Sequence, residues 1–177
     1  MAKPQQGGGR GGRGKFEDKE FDQRILELAR VTRVTKGGKR MRFRACVIIG
    51  DRKGRVGYGL AKGLDVQQSV QKAATQAKKR LVTVPLQNGT IPHAVHMKFA
   101  AARIVIKPAP IGTGIKAGGA VRVVFELAGI PNAVAKILGS NNKINNTKAT
   151  INALKRLKPA LVKKPKAEAV EAAPAVA

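Results

Sequence analysis

The chain has 177 residues, with 35 Lys and Arg against 10 Asp and Glu, a formal net charge of +25. Apolar residues make up 43% and aromatics only 3%, which is enough for an aliphatic core and too apolar for a disordered basic tail. The single cysteine, Cys46, excludes an internal disulfide and a multi-thiolate metal site. No apolar run reaches the roughly 18 residues of a membrane span, and the first residues lack the apolar stretch of a signal peptide. The expectation is a soluble, intracellular, folded polycation.

Residues 1–15 are rich in Gly and Arg, with no acid, and read as a flexible arm. Ile25–Thr35 is apolar and then β-branched, and ends at the TKGGKR turn. From Met41 the alternation is strict. Met41, Phe43, Ala45, Val47 and Ile49 fall on one face, and Arg40, Arg42 and Arg44 on the other, which predicts a half-buried antiparallel strand with a guanidinium row. GDRKGR is a tight turn and VGYGLAK a return strand, with Gly57 and Gly59 on one face and Val56, Tyr58 and Leu60 on the other.

The next segment places Val66, Val70, Ala73, Ala74, Ala77 and Leu81 at helical spacing. Asp65 and Gln68 there read as a capping box, and Lys78, Lys79 and Arg80 suit the end of the helix dipole. VPLQNGTIPH reads as a boundary, and TIPHAVHMKF and AARIVIKPAP as strands. AGGAVRVVFELAG fits either strand or helix. AVAKILG reads as a short strand and NNKINNTKATINALKRLK as a terminal helix, with Ile144, Ile151 and Leu154 aligned. Residues 159–177 read as a second tail.

The charge is unevenly placed. Glu17, Asp18, Glu20, Asp22 and Glu27 cluster near the start, and Glu168 and Glu171 lie near the end. Between residues 28 and 167 only Asp51, Asp65 and Glu126 face 29 Lys and Arg. Such a body repels itself and calls for a polyanion, nucleic acid above all.

Catalytic readings are weak. No two carboxylates are spaced for acid–base work, and His93 and His96, three apart on a predicted strand, point to opposite faces and lack further metal ligands. Cys46 reads as a small core hydrophobe. GTGIKAGGAVR has neither the phosphate-loop nor the dinucleotide spacing, and tight turns or a close backbone contact explain its glycines equally well. No cofactor or metal is expected. The cationic turn at Lys36–Arg40 and the Arg row suit phosphate contact. The scarcity of aromatics argues against base stacking and for recognition led by phosphate and shape.

The runs RVTRVTKGGKRMRF, GDRKGRVGYGLAK, LQNGTIPH, GTGIKAGGAVR, ELAGI, AKILGSNN and INNTKATINAL, in that order over roughly 22–157, closely resemble bacterial small-subunit ribosomal protein five. The resemblance implies an α+β chain. A double-stranded-RNA-binding-like domain at 21–84 and a C-terminal two-layer α/β domain at 92–158 lie between an arm at 1–20 and a tail at 159–177. It also makes AGGAVRVVFELAG helical. Lys143 departs from the Pro of many members.

The implied role is that of a ribosome-bound, cytoplasmic, non-enzymatic constituent of the small subunit. Such a protein binds small-subunit rRNA, links head to body, helps to line the path by which messenger RNA enters, and influences translational accuracy. The RNA-contact residues carried over are Thr32, Arg33, Thr35, Lys36, Gly37, Gly38, Lys39 and Arg40 of the hairpin, a segment associated with spectinomycin resistance in the family. With them go Arg30, Arg42, Arg44, Arg52, Lys53, Arg55 and Lys62. Gly112, Thr113, Gly114 and Arg122 are assigned to a face toward ribosomal protein four. Ribosomal protein eight is a further neighbour. Neither a membrane nor a second copy of the chain is expected as a partner. The rival readings are a free duplex-RNA regulator and a DNA compactor.

Overall fold

The computed structural model describes residues 20–158, so the arm at 1–20 (apart from Glu20) and the tail at 159–177 lie outside the described residues. The chain runs β1 (Asp22–Thr35), β2 (Gly38–Gly50), β3 (Arg55–Gly63), α1 (Val66–Lys78), β4 (Val82–Thr83), β5 (Val95–Phe99), β6 (Ala102–Pro108), β7 (Ile115–Lys116), α2 (Gly119–Ala128), β8 (Ala133–Ile137) and α3 (Lys143–Lys155). The fold is α+β. One antiparallel sheet has the order β1-β2-β3-β4, and a mixed sheet has the order β5-β6-β8-β7, with β7 parallel to β8.

The first sheet carries α1 on one face. Ser69, Ala73 and Ala77 are the buried residues of α1, and they lie over Gly57 and Gly59 of β3. A methyl group at Gly59 would overlap the Ala73 carbonyl, so the glycine stripe sets how closely the helix approaches. Ala45, Val47 and Ile49 of β2 complete this small core. The anticipated capping box does not form. Asp65 occupies the N-cap position without a side-chain bond, and Gln68 accepts instead from the Leu64 N–H at 3.2 Å.

The opposite face of the same sheet corrects the half-buried reading of β2. Residues 45–50 are all buried, because Ile48 and Val56 join one continuous core with Val121, Val124, Phe125 and Leu127 of α2, Ile151 and Leu154 of α3, and Ile104 and Ile106 of β6. The layers are therefore α1, the first sheet, the α2–α3 pair, and the second sheet. Phe125, fully buried, is the largest side chain of this core. No helix among the described residues is long and apolar enough to cross a membrane.

The β2–β3 turn forms the seam. The Arg52 and Gly54 N–H groups donate to the Leu127 and Ala128 carbonyls at 3.0 and 2.9 Å, satisfying acceptors that the end of α2 leaves open. Gly129, in the left-handed region at φ 75°, then turns the chain away. A methyl group at Gly50 would overlap the Leu127 carbonyl, although the φ of Gly50 is ordinary.

The segment after α1 is ordered. Thr90 Oγ1 donates to the Asn132 carbonyl at 2.7 Å and accepts from the Ala109 N–H at 3.2 Å, and Ile91 is 1% exposed. The ambiguous stretch 119–128 is helical because its apolar residues face two sides, α3 and both sheets. The strand expected from Thr90 begins only at Val95, which leaves His93 in an exposed bend off any strand, while His96 is exposed on β5. At α3, Asn142 accepts from the Ile144 and Asn145 N–H groups at 3.0 and 3.4 Å. Lys143 is the first helical residue, whose N–H needs no partner within the helix, so Lys serves as well as Pro there.

Two outcomes are expected. Gly50→Ala should destabilise the protein by about 3 kcal/mol through overpacking at the seam, while Gly37→Ala, with open space around the new methyl, should stay within about 0.5 kcal/mol. Denaturant unfolding measures both.

The second concerns Asp51, whose carboxylate is 4% exposed. Burial pushes its pKa up, but Arg55 and the Lys53 and Arg55 N–H groups outweigh this and hold it below the ordinary 3.8. Its contribution is therefore complete above the unfolded pKa near 4 and is lost as pH falls through the lower folded value. The stability gap between wild type and Asp51→Asn, on the order of 1 kcal/mol at pH 7, should shrink steadily below pH 4 in pH-dependent denaturation.

Candidate nucleic-acid interface

β1 and β2 pair without interruption from Leu28/Ala45 to Thr35/Gly38, whereas β3 leaves the sheet at Phe43/Gly63. Beyond that point they form a two-stranded ribbon closed by the two-residue turn Lys36-Gly37. Residues 32–42 are all exposed. Thr35 Oγ1 donates to the Gly38 carbonyl at 3.1 Å and braces the turn.

The register sorts the candidate residues by face. Arg33 lies opposite Arg40, Val31 opposite Arg42, Ala29 opposite Arg44, and Arg44 opposite Lys62. Arg33, Arg40, Arg42, Arg44 and Lys62 therefore share one face. Arg33, Arg40, Arg42 and Lys62 line a concavity of about 490 Å³ floored by Val31. Arg30, Thr32 and Lys39 fall on the other face, where Arg30 donates to the Met41 sulfur. Like charges directly opposite on a sheet are unfavourable, and among the described residues no acid lies within salt-bridge distance of Arg33, Arg40, Arg42 or Lys62.

The other candidates are held differently. Arg44 is committed to Glu27 at 3.1 Å. Arg52 pairs with Asp22 at 2.8 Å. Arg55 pairs with Asp51 at 2.6 Å and Glu20 at 3.3 Å, and its guanidinium lies 5.2 Å from the Phe21 ring centre. The hydrogen bond from Arg55 to Asp51 is the first reason its own pKa is raised. Lys53 is exposed beside them. The Arg52 and Arg55 pairs line the seam, so the 50–55 turn is first a docking element.

Cys46 lies mid-strand in β2, between Glu27 of β1 and Leu60 of β3. Burial, and next the Glu27 carboxylate, push its thiol up to about 11, which leaves it a protonated core side chain.

The second candidate face is built on Asn132. Its Oδ1 accepts from the Gly112 and Gly114 N–H groups, both at 3.1 Å. Thr113 N–H donates to the Pro110 carbonyl at 3.2 Å. This fixes the 110–114 loop with Ile111 81% exposed at its tip. Gly112 and Gly114 are thus turn residues followed by β7, and Gly118 and Gly119 are the N-cap and first residue of α2. Arg122 sits on α2 and shares Glu126 with Arg24 of β1, at 3.3 and 2.7 Å. Asn132 and Glu126 were missing from the sequence-derived set. No spacing marks Asn132, and Glu126 could have been noticed as the sole acid between Asp65 and the tail.

Comparison with known proteins agrees with this architecture. The family described as ribosomal protein S5, N-terminal domain, matches residues 21–85, and the ribosomal protein S5 C-terminal domain matches residues 97–166. The chain belongs to the ribosomal protein S5 family. It is 49% identical over 139 residues to the small ribosomal subunit protein uS5c of Spinacia oleracea. That alignment covers 78% of this chain and 45% of the relative, so the chain spans a little under half the length of that relative.

Because Asn132 is 8% exposed, Asn132→Ala should strand two N–H groups and destabilise the protein by about 1–3 kcal/mol. Amide exchange at Gly112 and Gly114 should accelerate more than exchange in β6, while Asn132→Asp, keeping the acceptor, should preserve protection of the loop.

Proposed function

We propose that this S5-family chain is a ribosome-bound, non-catalytic constituent of the small subunit that grips small-subunit rRNA with the β1–β2 ribbon. The observation that carries the reading is the convergence of Arg33, Arg40, Arg42 and Lys62 on one ribbon face with no acid in reach among the described residues. Phosphate oxygens are the complement of that face. Guanidinium groups form two parallel hydrogen bonds to them, and the Lys36-Gly37 turn lets backbone as well as side chains approach a narrow groove.

On this reading the protein is cytoplasmic with the ribosome. It ties RNA of the head to RNA of the body because the ribbon projects from a core that the second sheet shares. On the same reading it lies near the path by which messenger RNA enters. The 110–114 loop and Arg122 form a rigid edge toward ribosomal protein four, and ribosomal protein eight is a second neighbour. Accuracy would then respond mechanically, since loosening that edge eases subunit closure during decoding. Arg122 can exchange Glu126 for a partner's carboxylate without leaving Glu126 unpaired, because Arg24 remains.

Arg40→Gln/Arg42→Gln in the full chain should fold as well as wild type, since it removes repulsion. Its binding to small-subunit rRNA should show a log–log salt slope lower by about 1.5, from two lost phosphate contacts. In lysates it should be shed from small subunits at lower salt on a sucrose gradient. An unchanged slope would remove the ribbon from the interface. Wild-type protein that stays at the top of the gradient would favour a free duplex-RNA binder.

A further inference from the structure

The outermost layer of the molecule is a sheet face with nothing packed on it among the described residues. In the second sheet, Val95, Met97 and Phe99 of β5, Ala102, Ile104 and Ile106 of β6, and Ala133, Ala135 and Ile137 of β8 turn toward α2 and α3 and join the core. The alternate residues turn the other way. Lys98 lies directly opposite Arg103. His96 faces Val105, which faces Lys136, and Lys107 faces Val134, which faces Lys116. Lys98, Arg103, Lys107, Lys116 and Lys136 are all exposed, and Val105 and Val134, half-buried by these stems, are not among the residues packed against the core.

Five cations thus spread over four strands, about 14 Å across at the usual strand spacing of about 4.8 Å. Every salt bridge among the described residues lies elsewhere. The Lys98–Arg103 pair repeats the like-charge pairing of Arg33 and Arg40 on the ribbon. An ordinary solvated sheet face mixes signs and places opposite charges across strands.

We propose that this open face is a second RNA-binding surface, engaging the phosphodiester backbone of an rRNA segment separate from the one held by the ribbon. The occupant is inferred from charge complementarity and from what the face lacks. With no Phe, Tyr or Trp on it and only the His96 imidazole at its β5 edge, base stacking is a minor part of what it offers, and with no acid it cannot orient a basic partner. Val105 and Val134 offer a small flat apolar centre suited to ribose edges, with the cations around it reaching phosphates. The inference rests on the rRNA-binding reading above and adds a contact on the far side of the molecule, so that the chain clamps RNA from two faces.

The test uses the full chain in reconstituted small subunits. A photo-cross-linker is attached at Lys98→Cys or Lys136→Cys on the sheet and, separately, at Lys39→Cys on the ribbon. Cys46, 1% exposed, stays unlabelled. The proposal expects rRNA cross-links from both surfaces, to different RNA segments. Cross-links from the sheet to protein alone would overturn it and make the face a protein interface. No RNA cross-link from the sheet, with one from the ribbon, would overturn this inference and leave the ribbon reading standing. RNA cross-links from neither would overturn both.

As a second measure, Lys98→Gln/Arg103→Gln/Lys136→Gln should melt at or above the wild-type temperature, because it relieves cross-strand repulsion. Its rRNA salt slope should fall by about 2–3, and the fall should add to that of the ribbon variant. An unchanged slope would also overturn the proposal.

Discussion

Everything else in this molecule depends on the contact between the β2–β3 turn and the last turn of α2. Two backbone N–H groups of the turn meet two carbonyls at the helix end, and Gly50 and Gly129 allow main chain to lie against main chain with no side chain between. Close-packed interiors tolerate little change at such a point. Because α2 is seated there, Ile48 and Val56 of the first sheet share a core with Phe125 and with the second sheet. Each half alone would be a small domain with a marginal core. Joined, they present their outer surfaces in fixed relation.

The seam also explains part of the charge pattern. Glu20, Asp22, Asp51 and Glu126 pair with Arg24, Arg52, Arg55 and Arg122 around it, and Arg24–Glu126 joins the two halves directly. Each exposed pair adds little stability by itself, but together they reduce repulsion where two basic halves meet. Of the other described acids, Glu27 pairs with Arg44 at the base of the ribbon and Asp65 lies at the start of α1. The ribbon and the outer sheet face are left with cations and no acid, and a polyanion is their natural complement, while further cations lie on and beside α1 and α3.

Much of this was legible in the sequence. The two hairpin strands, α1 and α3 follow from alternation and helical spacing. The double burial of β2 was also written there. After Arg44 the run Ala45–Ile49 is apolar at every position, the mark of a strand covered on both sides, but the preceding Arg row suggested that the outer face stayed in solvent. Arg52 and Arg55 read as phosphate ligands because their acids lie 30 or more residues away in sequence or inside the same tight turn. Asn132 could not be found, because its two bonds go to backbone groups of a loop that only the fold brings near. The cationic alternation of Lys98, Arg103 and Lys107 was visible, and only the sheet register, which adds Lys116 and Lys136, turns it into a surface.

The central claim is that the seam makes one cooperative body of two sheets, and native-state hydrogen exchange across the whole chain tests it most directly. If it holds, the slowest amides of β2 around Val47 and Ile48 and those of β6 around Ile104 open with the same free energy and the same denaturant dependence, equal to global unfolding. If the amides of one sheet opened at clearly lower free energy while the other stayed protected, the halves would be independent domains in contact, and the account would fail.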